Sequence, residues 1–570
     1  MLAWFKDKIS KKPDHPMYNG VMAQKLLEDL PNDEPLKALE EISCWLDSVK
    51  DTPGFRVDDR LEVVKLLDER GQEHQRRICH EYMTASRMGK IHENRLWISL
   101  SNFWHQVGEA YLVCLNEYQE GVEGSAAIKE ELSLVVVRIL RALTTQKKWF
   151  HMRYRQVETR IWTDIFKLVR MAESMKLART LVVAYPFLPR TTVYQEFARS
   201  LMIEMASLQS LRPLQIEIVD RIATVLAGYF AFGNELSGDT PYGVDLSGFA
   251  GPVRYRENLI RNPDFRCVGS GTSIPKLVAW KKMINQGKTL PEFKPLEFFG
   301  AAELRTVIEH LETYWGVNVP QRKHERKPQV HRLHVVHGYS DIRRKVASID
   351  TLTLSSDEEN KDILHLERVD LKLYGFVTDK TRRQIAEASR ARQELAMKDD
   401  ALSESWVTED ISEGGIGAEI SPQDMDWVEA GKLIGYKSQD GDRWKIGVIR
   451  HFSRDDRLKC HVGVQNISTE PVSARLRPLK KADLSVWERL SESPAYEYLN
   501  ALLLPSTGAK PLRLLMESNS FSLGNYYEMI AQGKRFMMQV TELDEQGEGY
   551  AIVKLLLMAK VEEDNRKQVG

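Results

Sequence analysis

Two short stretches bring together residues that could hold a charged, planar ligand. In "TEDISEGGIGAEI", residues 408–420, a strand over "SWVTEDIS" places Asp410 and Ser412 on one face, a carboxylate acceptor beside a hydroxyl. Gly414, Gly415 and Gly417 then let the chain turn with positive φ and let a ligand approach the backbone. In "RKHER", Arg322 and Arg326 stand four apart, with Lys323 and Lys327 adding charge. Guanidinium groups make planar, bidentate hydrogen bonds to phosphate oxygens and to the O6/N7 edge of guanine. Two such arginines on a flexible arm would clamp a phosphorylated guanine ligand against the Asp410/Ser412 face. Taken singly, each stretch has a plainer reading: a β-turn with a Ser or Asx cap, and a solvated basic face.

The elements that must position these residues are β-like. "VHRLHVV" follows "RKHER" at once and reads as a strand. "RWKIGVIRHF" places Trp444, Ile446, Val448 and Phe452 on one face, and "LKCHVGVQN" does the same with Leu458, Cys460, Val462 and Val464. The five polar residues "SRDDR" between them predict an antiparallel hairpin. Several short strands in a row suggest a small barrel. From about 500, "KPLRLLMES", "KRFMMQVTEL", the turn "DEQGEG" and "YAIVKLLLM" predict a further β unit packed on the first or extending it.

The order of these motifs, R-x-x-x-R before the first strand, D-x-S-x-x-G after the second and then W-x-I-G-V-I-R, resembles the PilZ domain, the bacterial receptor module for cyclic di-GMP. The resemblance covers residues 320 to about 480, and it implies a six-stranded antiparallel barrel with an arginine-bearing segment at its rim. It also implies that Arg322 and Arg326 take phosphates and guanine edges while Asp410, Ser412 and Gly415 form the base-recognition surface. The long gap from Arg326 to Asp410 departs from that family and requires an insertion at about 340–403 between the first two strands. "TRRQIAEASRAR" supplies rival arginines, Arg382, Arg383, Arg390 and Arg392, nearer to Asp410 but without the four-residue spacing.

The rest of the chain is helical in texture from about 20 to 235, as in "DDRLEVVKLLDERGQEHQRRICHEYMTA", where Leu61, Val64, Leu66 and Leu67 recur at three and four spacing. A stack of antiparallel helices is expected, with no solenoid repeat. The glycine-rich segment 233–255 breaks this texture and divides a helical region, 1–315, that holds one or two subdomains. The barrel is then expected over 320–482 and the last β unit over 483–570. The fold class is α+β multidomain: a helical N-terminal region, a PilZ-like antiparallel barrel with a helical insertion, and a C-terminal β unit.

Composition narrows the function classes. The chain has 570 residues with 80 basic against 81 acidic, so no global field attracts a nucleic acid polymer, and any anion site is local. Five cysteines without a C-x-x-C pair argue against a disulfide scaffold or zinc ribbon and fit a cytoplasmic protein. No run reaches the roughly 20 apolar residues of a transmembrane helix, and "MLAWFKDKISKK" lacks the apolar centre of a signal peptide. His324, His331, His334 and His337 cannot converge on a metal from one strand, because His334 points away from His331 and His337. "GSGTSIPK", 269–276, lacks the G-K-[ST] ending of a phosphate loop and reads as a plain loop. Trp97, Trp104 and Trp162 read as core.

The expectation is therefore a non-enzymatic, cytoplasmic cyclic di-GMP receptor without metal or cofactor. Its arm would order on the ligand and signal to a protein partner through the helical region; by the resemblance, the output is motility, type IV pilus function or biofilm control. The rival expectation is an interaction scaffold whose barrel binds no nucleotide. In that case the arginines form intramolecular salt bridges or point away from Asp410.

Overall fold

The structure is a computed structural model that describes residues 13–84, 88–255, 262–290, 299–316, 324–348, 403–421, 427–439, 441, 443–455, 459–479, 498–505, 511–532 and 534–561. The chain divides into two units, 1–321 and 322–570.

The first unit opens with helices α1 (Gly20–Glu28), α2 (Pro35–Asp51), α3 (Val57–Thr84), α4 (Lys90–Glu120), α5 (Leu132–Met152), α6 (Thr159–Ser174), α7 (Val193–Glu204) and α8 (Pro213–Leu226). Local chemistry sets several of their ends. Gly121 closes α4 in the left-handed conformation at φ 73°, where a side chain would be strained. Thr192 and Gln195 form a reciprocal capping box at the start of α7.

The helices do not form a simple stack. α5 is the central element, packed against α4, α6, α7 and α8 and buried on nearly every side. Its polar residues are accommodated by pairing. Arg138 meets Asp68 and Glu69, Arg141 meets Glu196, and Lys148 meets both Glu217 and Asp220. A buried charge without such a partner would cost several kcal/mol, on the order of 3–5.

The glycine-rich break is not a loop. Strands β1 (Ala231–Gly233), β2 (Tyr242–Asp245), β3 (Val253–Arg254) and β4 (Phe265–Gly269) form a small sheet in the order β1-β4-β2-β3. Helices α9 (Ser273–Asn285) and α10 (Ala301–Tyr314) follow, and one apolar core runs from Met17 to Trp315, so the region is not two subdomains. "GSGTSIPK" therefore lies between a strand and a helix, contrary to its reading as a plain loop. Its glycine surface is closed by protein: a Cβ on Gly269 would lie 1.9 Å from the Asp239 carbonyl oxygen, and one on Gly271 2.5 Å from that of Tyr229.

The second unit contains two barrels. β5 (Lys327–Pro328), β6 (Arg332–His337), β7 (Glu404–Ser412), β8 (Gly415–Ile420), β9 (Leu433–Ser438), β10 (Lys445–Arg454) and β11 (Cys460–Ser468) belong to the first. Six of these close in the order β7-β6-β9-β10-β11-β8, and β8 pairs back to β7, while β5 lies on the outer edge of β7. The expected hairpin is β10 with β11, and its register shifts at a bulge between Ile449 and His451. β6 and β7 are antiparallel neighbours, so the long insertion leaves and re-enters between paired strands. Helical residues 339–348 begin it, and 349–402, including Arg382, Arg383, Arg390 and Arg392, lie outside the described residues.

β12 (Val472–Leu479), β13 (Leu499–Leu504), β14 (Arg513–Met516), β15 (Tyr526–Ala531), β16 (Lys534–Gly547) and β17 (Tyr550–Val561) close the second barrel in the order β12-β13-β14-β17-β16-β15. The expected boundary at 482 is thus displaced, because β12 pairs with β13 and β15 rather than with any strand of the first barrel. The barrels share a core: Trp444, Ile446 and Val448 pack with Leu502, Leu504, Leu515, Tyr550 and Ile552. Arg450 clasps Glu545 through both guanidinium nitrogens, at 2.9 and 2.6 Å, across the same seam.

Candidate functional site

The arm and the hairpin meet on the first barrel. β5 pairs Lys327 with Ile411 and Pro328 with Asp410, which fixes the preceding residue, Arg326, beside the end of β7. Thr408 reinforces the pairing. Its hydroxyl donates to the Gln329 carbonyl at 2.6 Å, and it accepts from the His331 amide at 2.8 Å. The arm around Arg326 is therefore already laid on β7, not loose as expected. Arg322 lies outside the described residues.

Arg326 Nη1 donates to Asp410 Oδ2 at 2.9 Å. The two side chains remain 33% and 25% exposed, so the pair is half in water and contributes roughly 0–1 kcal/mol to the fold. Asp410 Oδ1 is different: it is buried and accepts no hydrogen bond among the described residues. A buried carboxylate oxygen without a donor costs free energy, about 1–3 kcal/mol or more, unless a donor arrives from outside the chain.

The surface beneath this pair is built from backbone. Asp410 lies opposite Gly417 on β8, Gly417 opposite Gly463 on β11, and Gly463 opposite His451 on β10. Directly opposed residues of antiparallel strands share a face. The two glycines in the middle of this row contribute no side chain of their own, and the row is flanked by Asp410 and the exposed His451. A Cβ on Gly417 would lie 2.8 Å from Asp410 Oδ1 and 3.1 Å from Arg326 Nη1, so the glycine is what admits the pair. Gly463 also lies under Arg326 Nη2, 3.9 Å from where its Cβ would be.

The other expected site residues serve the turn. The Ser412 hydroxyl donates to the Gly415 carbonyl at 3.1 Å, closing the hairpin between β7 and β8. Asn466 on β11 binds the same turn, its amide donating to the Gly414 carbonyl at 2.9 Å. Gly414, Gly415 and Gly417 do not use positive φ, contrary to the sequence expectation. Gly415 is required because its Cβ would lie 2.1 Å from the Val464 carbonyl oxygen, a packing role between strands rather than an approach to ligand. Gly417 and Gly463 are the glycines that face the Arg326–Asp410 pair. The signal for Gly463 was its place inside the apolar alternation of "HVGVQ", where glycine marks a close approach.

The histidines go to separate partners. His324 lies 3.3 Å from Glu413, His334 hydrogen-bonds Ser403 at 2.9 Å, and His337 stacks on Trp427 at 4.1 Å. Trp104 and Trp162 are buried in the helical core and Trp97 packs at its edge. Among the described residues no helix is long and apolar enough to cross a membrane.

Comparison with known proteins adds one finding for the helical half. No curated protein and no solved structure matches the chain. Residues 22–235, less than half of the chain and running from within α1 through β1, match the family model described as "Cyclic-di-GMP receptor FimW, N-terminal domain", which names a binding role rather than a catalytic one.

Proposed function

We propose that the chain is a non-enzymatic receptor for cyclic di-GMP, with the first barrel as a PilZ-like binding module. The observation that carries the reading is the Asp410 carboxylate, one oxygen on Arg326 and the other buried without a donor among the described residues, beside the paired glycines Gly417 and Gly463. The N–H edge of a guanine satisfies that oxygen, and the purine ring takes the place over Gly417 and Gly463 that the Arg326 guanidinium now covers. Arg326 turns its guanidinium to a phosphate, exchanging a half-solvated ion pair for a charge-assisted bond to the ligand. Arg322, four residues upstream, supplies the second cation; Arg382, Arg383 and Arg390 are the alternative donors. The match of the helical half to a cyclic di-GMP receptor's N-terminal domain supports the same ligand independently. The output passes through the helical region to a protein partner in the cytoplasm, in motility, type IV pilus or biofilm control.

The scaffold reading also has an observation in its favour, since Arg326 does make an intramolecular ion pair with Asp410. Titration calorimetry of the full chain with cyclic di-GMP separates the two. The receptor reading expects micromolar or tighter binding that Arg326→Ala and Asp410→Ala each weaken by at least about tenfold, the loss of one charge-assisted hydrogen bond. Absence of binding favours the scaffold, and binding indifferent to both substitutions refutes the Arg326–Asp410 site.

A further inference from the structure

A large cleft opens in the helical unit, with a volume of about 1130 Å³, between α3, α5, α8 and the segment that carries Tyr185 and Phe187. Its size exceeds the roughly 300–1,000 Å³ typical of small-ligand sites, so it accommodates a ligand with two separated recognition groups. Its charges are arranged by depth. On the floor, Lys148 is neutralised by Glu217 and Asp220 at 2.8 and 2.9 Å, and Arg199 by Asp220 at 2.6 Å. At the mouth, exposed Arg76 pairs with no carboxylate among the described residues, and neighbouring Arg77 donates at 2.7 Å to a backbone carbonyl, that of Asn32, not to an acid. Burial and the charge of Arg221 hold the Arg76 pKa below the ordinary arginine value, with Glu73 opposing them. The mouth therefore carries a cationic surplus that the chain itself does not answer.

Two further features define the ligand. The Arg76 guanidinium lies 4.2 Å over the ring of Phe187, which in turn lies parallel to Tyr185, with centroids 5.8 Å apart and planes 9° apart. The Tyr185 hydroxyl is fixed by both oxygens of buried Asp68, at 3.0 and 2.9 Å, so the stack is anchored in the core. A planar guanidinium on an aromatic ring is a platform on which a nucleobase stacks. Deeper in the same cleft, Arg141 and Trp104 are 7% and 6% exposed, and Arg141 Nε and Trp104 Nε1 are buried donors that meet no acceptor among the described residues. Buried donors of this kind are rare and call for an acceptor.

We propose that this cleft is a second nucleotide site: a base stacks on the Arg76–Phe187 platform, and phosphate or base acceptors reach the cations of the mouth and the donors of Arg141 and Trp104. The proposal does not depend on the barrel site, and the test keeps them apart. The full chain carrying Asp410→Ala is titrated calorimetrically with cyclic di-GMP, GTP and ATP, and the titrations are repeated with Arg76→Ala or Phe187→Ala added. Both added substitutions are at exposed positions, and an unchanged thermal midpoint verifies folding. The expected result is micromolar binding of at least one of the three nucleotides, weakened at least about tenfold by each added substitution, the scale of one lost stacking contact. No binding of any of the three up to ~1 mM, or binding that neither added substitution changes, overturns the proposal.

Discussion

The two barrels have the same strand number and closure and surround a carboxylate with different numbers of cations. In the second, Glu528 on β15 is 1% exposed and stands between two arginines of its own sheet: Arg535 Nε donates to Oε1 at 2.8 Å, and Arg477 Nη2 lies 2.6 Å from Oε2, an ion pair at an oxygen that, like Asp410 Oδ1, accepts no well-aligned hydrogen bond among the described residues. In the first, among the described residues, Asp410 has one arginine, supplied by an arm laid on the edge of β7, and one oxygen without a donor. Met537 stands opposite Glu528, whereas Gly417 stands opposite Asp410 and leaves room for the Arg326 guanidinium. An acid closed by two cations belongs to the fold. An acid half closed by one arginine is the one we propose for a ligand.

The largest effect that sharpens this contrast is on stability. Glu528→Ala leaves two mostly buried arginines, 12% and 13% exposed, without their carboxylate and is expected to cost about 3 kcal/mol in urea unfolding. Asp410→Ala is expected to change stability by less than about 1 kcal/mol, because it removes a half-exposed pair together with an unsatisfied oxygen. Equal costs would erase the distinction between the barrels.

The second effect is on binding alone. Gly417→Val drives a branched side chain into the space of the Arg326–Asp410 pair and is expected to weaken cyclic di-GMP by at least about tenfold with the fold retained, as read by calorimetry and circular dichroism. Gly415→Val, in contrast, strikes the Val464 backbone and is expected to lower the thermal midpoint. If both act only on stability, the glycine strip is architecture.

A third test extends the contrast to the helical unit, where acids are closed as Glu528 is. Burial raises the Glu204 carboxyl, but His151 and Lys147 outweigh it and hold the pKa at about 2, below the ordinary 4.5. A carboxyl depressed in the fold adds stability that is complete above the unfolded value and is lost as pH falls through the folded one. Acid unfolding of the helical unit is therefore expected to steepen between 4.5 and about 2, and Glu204→Gln to flatten that slope. An unchanged slope would remove Glu204 from the closed acids.

The uneven legibility of the sequence has physical causes. The hairpin of β10 and β11 was readable because apolar residues alternate on both sides of a polar connection, and the Arg326–Asp410 meeting was readable because short-range order of motifs survives an 84-residue separation. Alternation does not say which sheet a strand joins, so β12 was assigned to the wrong barrel. The small sheet of β1–β4 was hidden by its short strands and by glycines that read as turns. The burial of Arg138, Arg141 and Lys148 on α5 is not legible from spacing, since it depends on partners distant in sequence that neutralise them. Gly415 and Gly417 look alike in the string, and only the register with β11 separates a packing glycine from one that faces the arginine.

Asp410 as the reader of guanine is tested most directly by base discrimination. Cyclic di-GMP and cyclic di-AMP are titrated into the full chain and into Asp410→Asn, with arginines and glycines untouched. A carboxylate that accepts from a guanine N–H edge favours cyclic di-GMP by at least about a hundredfold, as sites built to bond a polar group do, and the Asn variant loses most of that preference. Equal affinities in the unaltered chain, or a preference that survives Asp410→Asn in full, contradict the assignment.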